Sequence, residues 1–241
     1  MARRSSAFVR EGSATATVQT LNSELGALEA ALGRPRDPGD VLAEVAERQR
    51  QALGFNPATL PAPGSPMPDG DLTDITDTPT TLHATRDGRP AVVVFYRGGW
   101  CPYCNLTLRT YERDVVPVVR SRGATLIAIS ADTPDGSLTW HELTYDVLAD
   151  PNHTIARQLG IMATPPTNDA ATETWRASLG APPGRPSENP GLPLPTTVLV
   201  DAAGLIQWID VHSDHVTRTE PAAIIQALDL IARGRLGIGT C

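Results

Sequence analysis

Residues Val92–Leu108 read V-V-V-F-Y-R-G-G-W-C-P-Y-C-N-L-T-L, and the change of pattern inside this stretch governs the fold. The β-branched and aromatic run Val92, Val93, Val94, Phe95, Tyr96 is expected to form a buried strand, and Gly98 and Gly99 supply permissive backbone for a sharp exit. Cys101 and Cys104 then fall at the start of a helical pattern. Free N–H groups and the positive dipole end of a helix start favour a thiolate. C-x-x-C spacing lowers the leading thiol's pKa from about 8.5 to between about 3.5 and 7.5. Trp100 and Pro102 are expected to shield and stiffen the turn. This is the pattern of a redox site.

Two other uses of such a pair stay open: zinc, or two inert buried thiols. Structural zinc usually takes four Cys or His ligands, and the only other cysteine is Cys241. His83, His141, His153, His212 and His215 are scattered, with only the last two close together.

Working outward, the 241 residues, 41% hydrophobic and 20% charged, suit one globular domain with appendages. A net charge of −7 and a pI near 5.2 argue against nucleic acid or an anionic membrane as partner. Arg3 and Arg4 hint at a twin-arginine signal, but Ser13–Thr20 is too polar for an apolar export segment, and no apolar run approaches the roughly 18 residues of a membrane span. The expected location is the cytoplasm, where disulfides are transient and catalytic.

Leu21, Leu25, Leu28 and Leu32 recur at helical spacing until Gly33 and Pro35, and Val41, Val45 and Leu53 suggest a second helix. Residues 1–55 are therefore expected as an N-terminal helical extension. Residues 56–90 are expected as a proline-rich linker and entry to the core, with Pro57, Pro61, Pro63, Pro66, Pro68 and Pro79 excluding regular structure up to Pro79. The core domain spans 91–233. After the first strand a helix covers Asn105–Arg120, with Pro117 as a kink site. Ala124–Ser130 is a second strand, followed by a turn over Asp132–Gly136 and a helix near Ser137–Leu143. Val147 and Leu148 mark a short strand, and Thr154–Leu159 a short helix. Met162–Pro193 is a proline-rich loop anchored by Trp175. Thr196–Val200 and Leu205–Val211 form a hairpin, a helix follows Pro221, and residues 234–241 are a tail. Alternating strands and helices imply an α/β fold with a mostly parallel sheet; the hairpin adds an antiparallel partner, giving a mixed sheet flanked by helices.

A strand, a C-x-x-C helix, an alternating sheet and Pro-Thr before a hairpin strand together resemble the thioredoxin-like fold. More closely, the chain resembles the peroxiredoxin-like branch of the alkyl hydroperoxide reductase and thiol-specific antioxidant (AhpC/TSA) superfamily. The matching pieces are F-Y-R-G-G-W-C-P-Y-C-N from Phe95 to Asn105, I-A-I-S-A-D-T-P from Ile127 to Pro134, A-D-P-N-H-T-I-A from Ala149 to Ala156, and L-P-L-P-T-T-V-L-V-D from Leu192 to Asp201. The similarity spans about Ala91–Leu230. It departs from the peroxiredoxin pattern P-x-x-x-T-x-x-C in two places: Arg97 stands on the proline and Cys101 on the threonine, with Cys104 on the peroxidatic cysteine. The hydroxyl that helps hold peroxide is thus missing. The buried acid that precedes thioredoxin cysteines is missing too, since Val92, Val93 and Val94 occupy that strand.

The resemblance assigns attack to Cys104 by the peroxiredoxin register but to Cys101, as the more exposed first thiol, by thioredoxin logic. The helix-start argument favours Cys101. Pro195 before Thr196 resembles the cis-proline that faces the thiols in thioredoxin folds, or else it is a strand-entry proline. Arg97 either lowers a thiolate's pKa or binds an acidic substrate, or else is a surface charge. Arg218 matches a recurrent basic position of the branch. Cys241 either resolves a sulfenate or cross-links a partner, or is an incidental exposed thiol.

The expected function is a thiol-dependent peroxidase. It would act on hydrogen peroxide or organic hydroperoxides, pass through a sulfenic acid to a Cys101–Cys104 disulfide, and need no cofactor. A thioredoxin- or glutaredoxin-type dithiol would reset it, and a homodimer is among the assemblies the branch suggests. The alternatives are a thiol-disulfide oxidoreductase acting on disulfides without peroxide, and a biosynthetic or accessory protein on the same fold.

Overall fold

The computed structural model describes residues 20–32, 48–49, 52, 54–131, 143–163 and 192–232. The second helix expected around Val41 and Val45, the turn and helix over 132–142, most of the 162–193 loop with Trp175, and Cys241 lie outside the described residues.

Seven strands form one sheet in the order β2-β1-β5-β4-β3-β6-β7. They are β1 (Asp71–Thr73), β2 (Pro79–Thr81), β3 (Ala91–Phe95), β4 (Thr125–Ser130), β5 (Asp146–Ala149), β6 (Thr196–Val200) and β7 (Ile206–Val211). The helices are α1 (Leu21–Leu32), α2 (Leu82–Arg86), α3 (Pro102–Asp114), α4 (Val116–Ser121), α5 (Thr154–Gln158) and α6 (Pro221–Ala232). The sheet is mixed. β3–β4 and β4–β5 pair parallel, whereas β1–β2, β1–β5, β3–β6 and β6–β7 pair antiparallel. The mostly parallel expectation is therefore corrected: β6 returns against β3 instead of crossing over, and a second hairpin caps the far edge.

That second hairpin lies in the stretch where prolines were expected to exclude regular structure. Pro79 opens β2 at the sheet edge, where a missing N–H costs no ladder bond, and the Asp74 carboxylate accepts from the N–H groups of Thr76 and Thr78 to close the turn. Asp69 then accepts from Leu82 N–H at 2.8 Å, tying the start of α2 to the strand entry.

β3 is apolar throughout because both of its faces are covered. Val92 and Val94 point into one cluster with Leu25, Leu108, Tyr111, Val119 and Ile224, under α1, α3, α4 and α6. Ala91, Val93 and Phe95 point into another with Leu82, Ile155, Leu159 and Ile161, under α2 and α5. The helix expected over Asn105–Arg120 is two helices broken at Val115, and Pro117 sits in the first turn of the second, where its missing N–H is tolerated. No helix among the described residues is long and apolar enough to cross a membrane.

Candidate active site

β3 delivers the chain to the sheet's C-terminal edge, where Tyr96 N–H still donates to Ile129 O at 3.0 Å. The backbone then turns sharply. Gly98 adopts φ 153°, a conformation glycine takes without penalty, and its carbonyl accepts from Cys101 N–H at 3.2 Å. Asn105 Nδ2 donates to Gly99 O at 2.8 Å and braces the same turn from within α3. Cys101 is the N-cap of α3 in extended conformation and Pro102 the first helical residue, so Cys104 lies one turn in.

Both sulfurs are 0% exposed, which corrects the expectation of an exposed leading thiol at Cys101. Arg218, on the loop between β7 and α6, is 4% exposed and donates from Nη2 to Cys104 Sγ at 3.2 Å. Its Nη1 donates to the carbonyls of His215 at 2.6 Å and Thr217 at 2.7 Å. Arg97 is 3% exposed with its guanidinium carbon 5.8 Å from the centre of the Trp100 ring, so it is not a surface charge.

This arrangement separates the two thiols. Burial alone would push the Cys104 thiol up, but the hydrogen bond from Cys101, the Arg218 charge, the Arg97 backbone N–H and the Arg218 hydrogen bond together hold it well below the usual thiol range. Cys101 is pushed well above that range by burial, by its hydrogen bond to Cys104 and by the Cys104 charge, with Arg97 and Arg218 offsetting only part. The helix-start argument favours Cys101, and the Arg218 contact favours Cys104. The N-terminal dipole acts on both residues, whereas the guanidinium acts at hydrogen-bond distance on one.

The expected cis peptide at Pro195 is corrected as well: no cis peptide occurs among the described residues. The Pro195 carbonyl accepts from His212 N–H at 2.9 Å and so extends the β6–β7 ladder by one residue. That is the role of a strand-entry proline. Thr196 pairs with Phe95 across the sheet, and its hydroxyl donates to Leu194 O at 2.8 Å.

Residues that the motif did not single out complete the surroundings. Tyr103 and His215 are both buried and meet edge to face, with ring centres 6.0 Å apart at 71°. The Tyr111 hydroxyl donates to Thr219 O at 2.6 Å, linking α3 to the loop that carries Arg218. Asp210 Oδ2 lies 3.1 Å from His212 Nε2 and accepts from the Thr219 hydroxyl at 2.8 Å. Arg218 and the proximity of His212 and His215 in the sequence were the available signals for this loop. Among the described residues no group of three or more His, Cys, Asp or Glu side chains is placed to hold a metal ion.

Residues 63–209 match the profile of the AhpC/TSA family. An alkyl hydroperoxide reductase C of Amphibacillus xylanus is 23% identical over 138 residues, covering 54% of this chain. The chain spans about 60% of the length of that curated relative. Among solved structures, AhpC of Enterococcus faecalis aligns with a TM-score of 0.55 at 16% identity over 76% of this chain and 99% of its own. The peroxidoxin BcpB of Mycobacterium tuberculosis aligns with a TM-score of 0.52 at 19% identity over 71% of this chain and 97% of its own. Likeness at these identities is one of fold.

Proposed function

The chain belongs to the AhpC/TSA family, and on that footing we propose that it is a thiol-dependent peroxidase in which Cys104 attacks and Cys101 resolves. The observation that carries the assignment is the Arg218 Nη2 to Cys104 Sγ hydrogen bond, 3.2 Å long and shut away from water. A guanidinium at that distance keeps the sulfur ionised and gives the negative charge of the peroxide's departing oxygen a cation nearby.

The cycle balances without a cofactor. The Cys104 thiolate attacks one peroxide oxygen, the O–O bond breaks, and the alkoxide or hydroxide leaves and takes up a proton; Cys104 is then a sulfenic acid. The Cys101 thiol attacks that sulfur, releases water and closes a Cys101–Cys104 disulfide. An external dithiol of thioredoxin or glutaredoxin type reduces the disulfide and is itself oxidised. A reducing cytoplasm suits such a cycle. Hydrogen peroxide and small alkyl hydroperoxides are the fitting oxidants, because reaching a fully buried sulfur demands less opening for them than for a protein disulfide.

Thiol-disulfide exchange without peroxide is the second reading. It is favoured by Cys101 at the N-cap in the place where the peroxiredoxin pattern has a hydroxyl. Stopped-flow mixing of the reduced protein with hydrogen peroxide or an organic hydroperoxide separates the two. The peroxidase reading expects rapid oxidation of one thiol, a trapped sulfenic acid in Cys101→Ser and no reaction in Cys104→Ser. Sulfenic acid in Cys104→Ser at the wild-type rate would reverse the roles, and no reaction in the wild type would leave the oxidoreductase.

A further inference from the structure

Two parts of the chain that meet at the thiol site lie outside the family match at 63–209: α1 and the loop that follows β7. They are joined by a reciprocal set of hydrogen bonds. Asn22, in the first turn of α1, accepts at Oδ1 from Arg218 N–H at 2.8 Å and donates from Nδ2 to Arg218 O at 2.8 Å. The same Nδ2 donates to Glu220 Oε1 at 2.7 Å. The Glu220 carboxylate in turn accepts from the backbone N–H groups of Leu21 at 2.9 Å and Asn22 at 2.8 Å. One side-chain amide thus pairs with both backbone polar groups of a single residue, as a neighbouring strand would, and removes that residue's freedom to slide or rotate.

The residue so held is the one whose guanidinium meets the thiol. Among the described residues Arg218 Nη1 bonds to carbonyls of its own loop, those of His215 and Thr217, so loop and guanidinium form one unit. Where that unit sits relative to Cys104 depends on what grips it from outside. Tyr111 does so from α3 through Thr219 O, and Asn22 does so from α1. α1 is itself anchored: Leu21 and Leu25 are buried in the cluster that contains Cys101, Cys104, Tyr103 and Val216.

We propose that Asn22 is a positioning residue of the thiol site, holding the Arg218 backbone so that the guanidinium rests on Cys104 Sγ, and that α1 is thereby part of the active site. This rests on the reading of Cys104 as the attacking thiolate. A charge-assisted hydrogen bond weakens steeply when its donor drifts, so loosening the loop returns Cys104 towards an ordinary thiol while leaving both cysteines in place.

The test is a pH profile of iodoacetamide alkylation on the full-length reduced protein, read separately at Cys101 and Cys104 by peptide mass spectrometry. In the wild type Cys104 is expected to be the thiol that reacts at low pH. In Asn22→Ala its midpoint should rise by about one unit, the scale of one lost charge-assisted contact. Leu72→Ala, a packing loss in the cluster on the opposite face of the sheet, should leave the midpoint where it was. Asn22→Leu, which keeps the side-chain volume, carries the same expectation should the alanine variant not fold. A midpoint unmoved in folded Asn22 variants, or moved equally by Leu72→Ala, overturns the proposal alone. Low-pH alkylation of Cys101 in the wild type overturns the reading of Cys104 and this proposal with it.

Discussion

A sulfur with no water around it ionises only where protein groups replace the water, and at Cys104 these are the Cys101 thiol, the Arg218 guanidinium and the Arg97 backbone N–H. Of the three, Arg218 brings a full charge. In Arg218→Met the long apolar stem is retained and the charge is lost, removing an interaction of about 1.5–3 kcal/mol, equivalent to a rise of one to two pKa units at Cys104. Less thiolate below the new midpoint means a slower reaction. The second-order rate with hydrogen peroxide should fall by about tenfold or more at pH values below the wild-type midpoint, with the loss recovered in part as the pH is raised through the new midpoint. A stopped-flow pH profile checks this, and a profile matching the wild type would mean that the guanidinium is not what ionises the sulfur. At this scale the sequence marked the two cysteines and Arg218, but its helix-start argument points to Cys101 where the Arg218 contact points to Cys104. Position on a helix is local and visible, whereas the cation that touches only one of them arrives from 114 residues away.

Elements were legible where burial imposes a pattern. β3, β4 and β6 are buried on both faces and mostly apolar, so each could be read within a residue of its observed ends, and the apolar stripes of α3 and α6 show which side packs, although the break at Val115 that ends α3 was not read. The β1–β2 hairpin was not legible. Its strands are three residues long, Leu72 is the only side chain in them that is fully buried, and Pro79 looks like a breaker when it is an edge residue. Nor could the junction of α1 with the Arg218 loop be read, since nothing local in Asn22 announces a partner 196 residues on. α5 shows how a short element survives on a side chain outside it. Its five residues begin after His153 in the left-handed conformation with no cap of its own, and Asp150, buried, accepts from the N–H groups of Thr154 at 2.8 Å and Ile155 at 2.9 Å. Asp150→Ala strands both donors and should cost about 2 kcal/mol of stability. Urea unfolding measures it; a loss below about 0.5 kcal/mol would mean that α5 is held by the packing of Ile155 and Leu159 alone.

For the molecule as a whole, the cluster that holds the thiols also holds Tyr111 and Tyr145, and this ties the site to stability at high pH. Burial pushes the Tyr111 phenol well up in spite of its bonds to Thr197 and Thr219, and burial together with the Glu112 charge pushes Tyr145 well up. Cys101 is raised in the same way. In the unfolded chain such thiols and phenols release their protons near about pH 8.5 and about pH 10, so above these values the folded state binds more protons than the unfolded one and stability falls as pH rises. Cys104 acts in the opposite sense. Its depressed pKa contributes stability that is fully present only above about pH 8.5 and is lost as pH falls through the folded value. Stability should therefore hold up to about pH 8.5 and decline beyond it, most steeply past about pH 10. Tyr111→Phe isolates one contribution. The variant leaves the buried Thr219 carbonyl without its donor, so it should be about 1 kcal/mol less stable at neutral pH. It also has no phenol to ionise on unfolding, so the gap to the wild type should narrow between about pH 9 and about pH 11. Urea denaturation of both proteins across that range decides it. Parallel curves would show that the Tyr111 proton leaves as readily from the folded protein as from the unfolded chain, and that the cluster around the thiols is open to water.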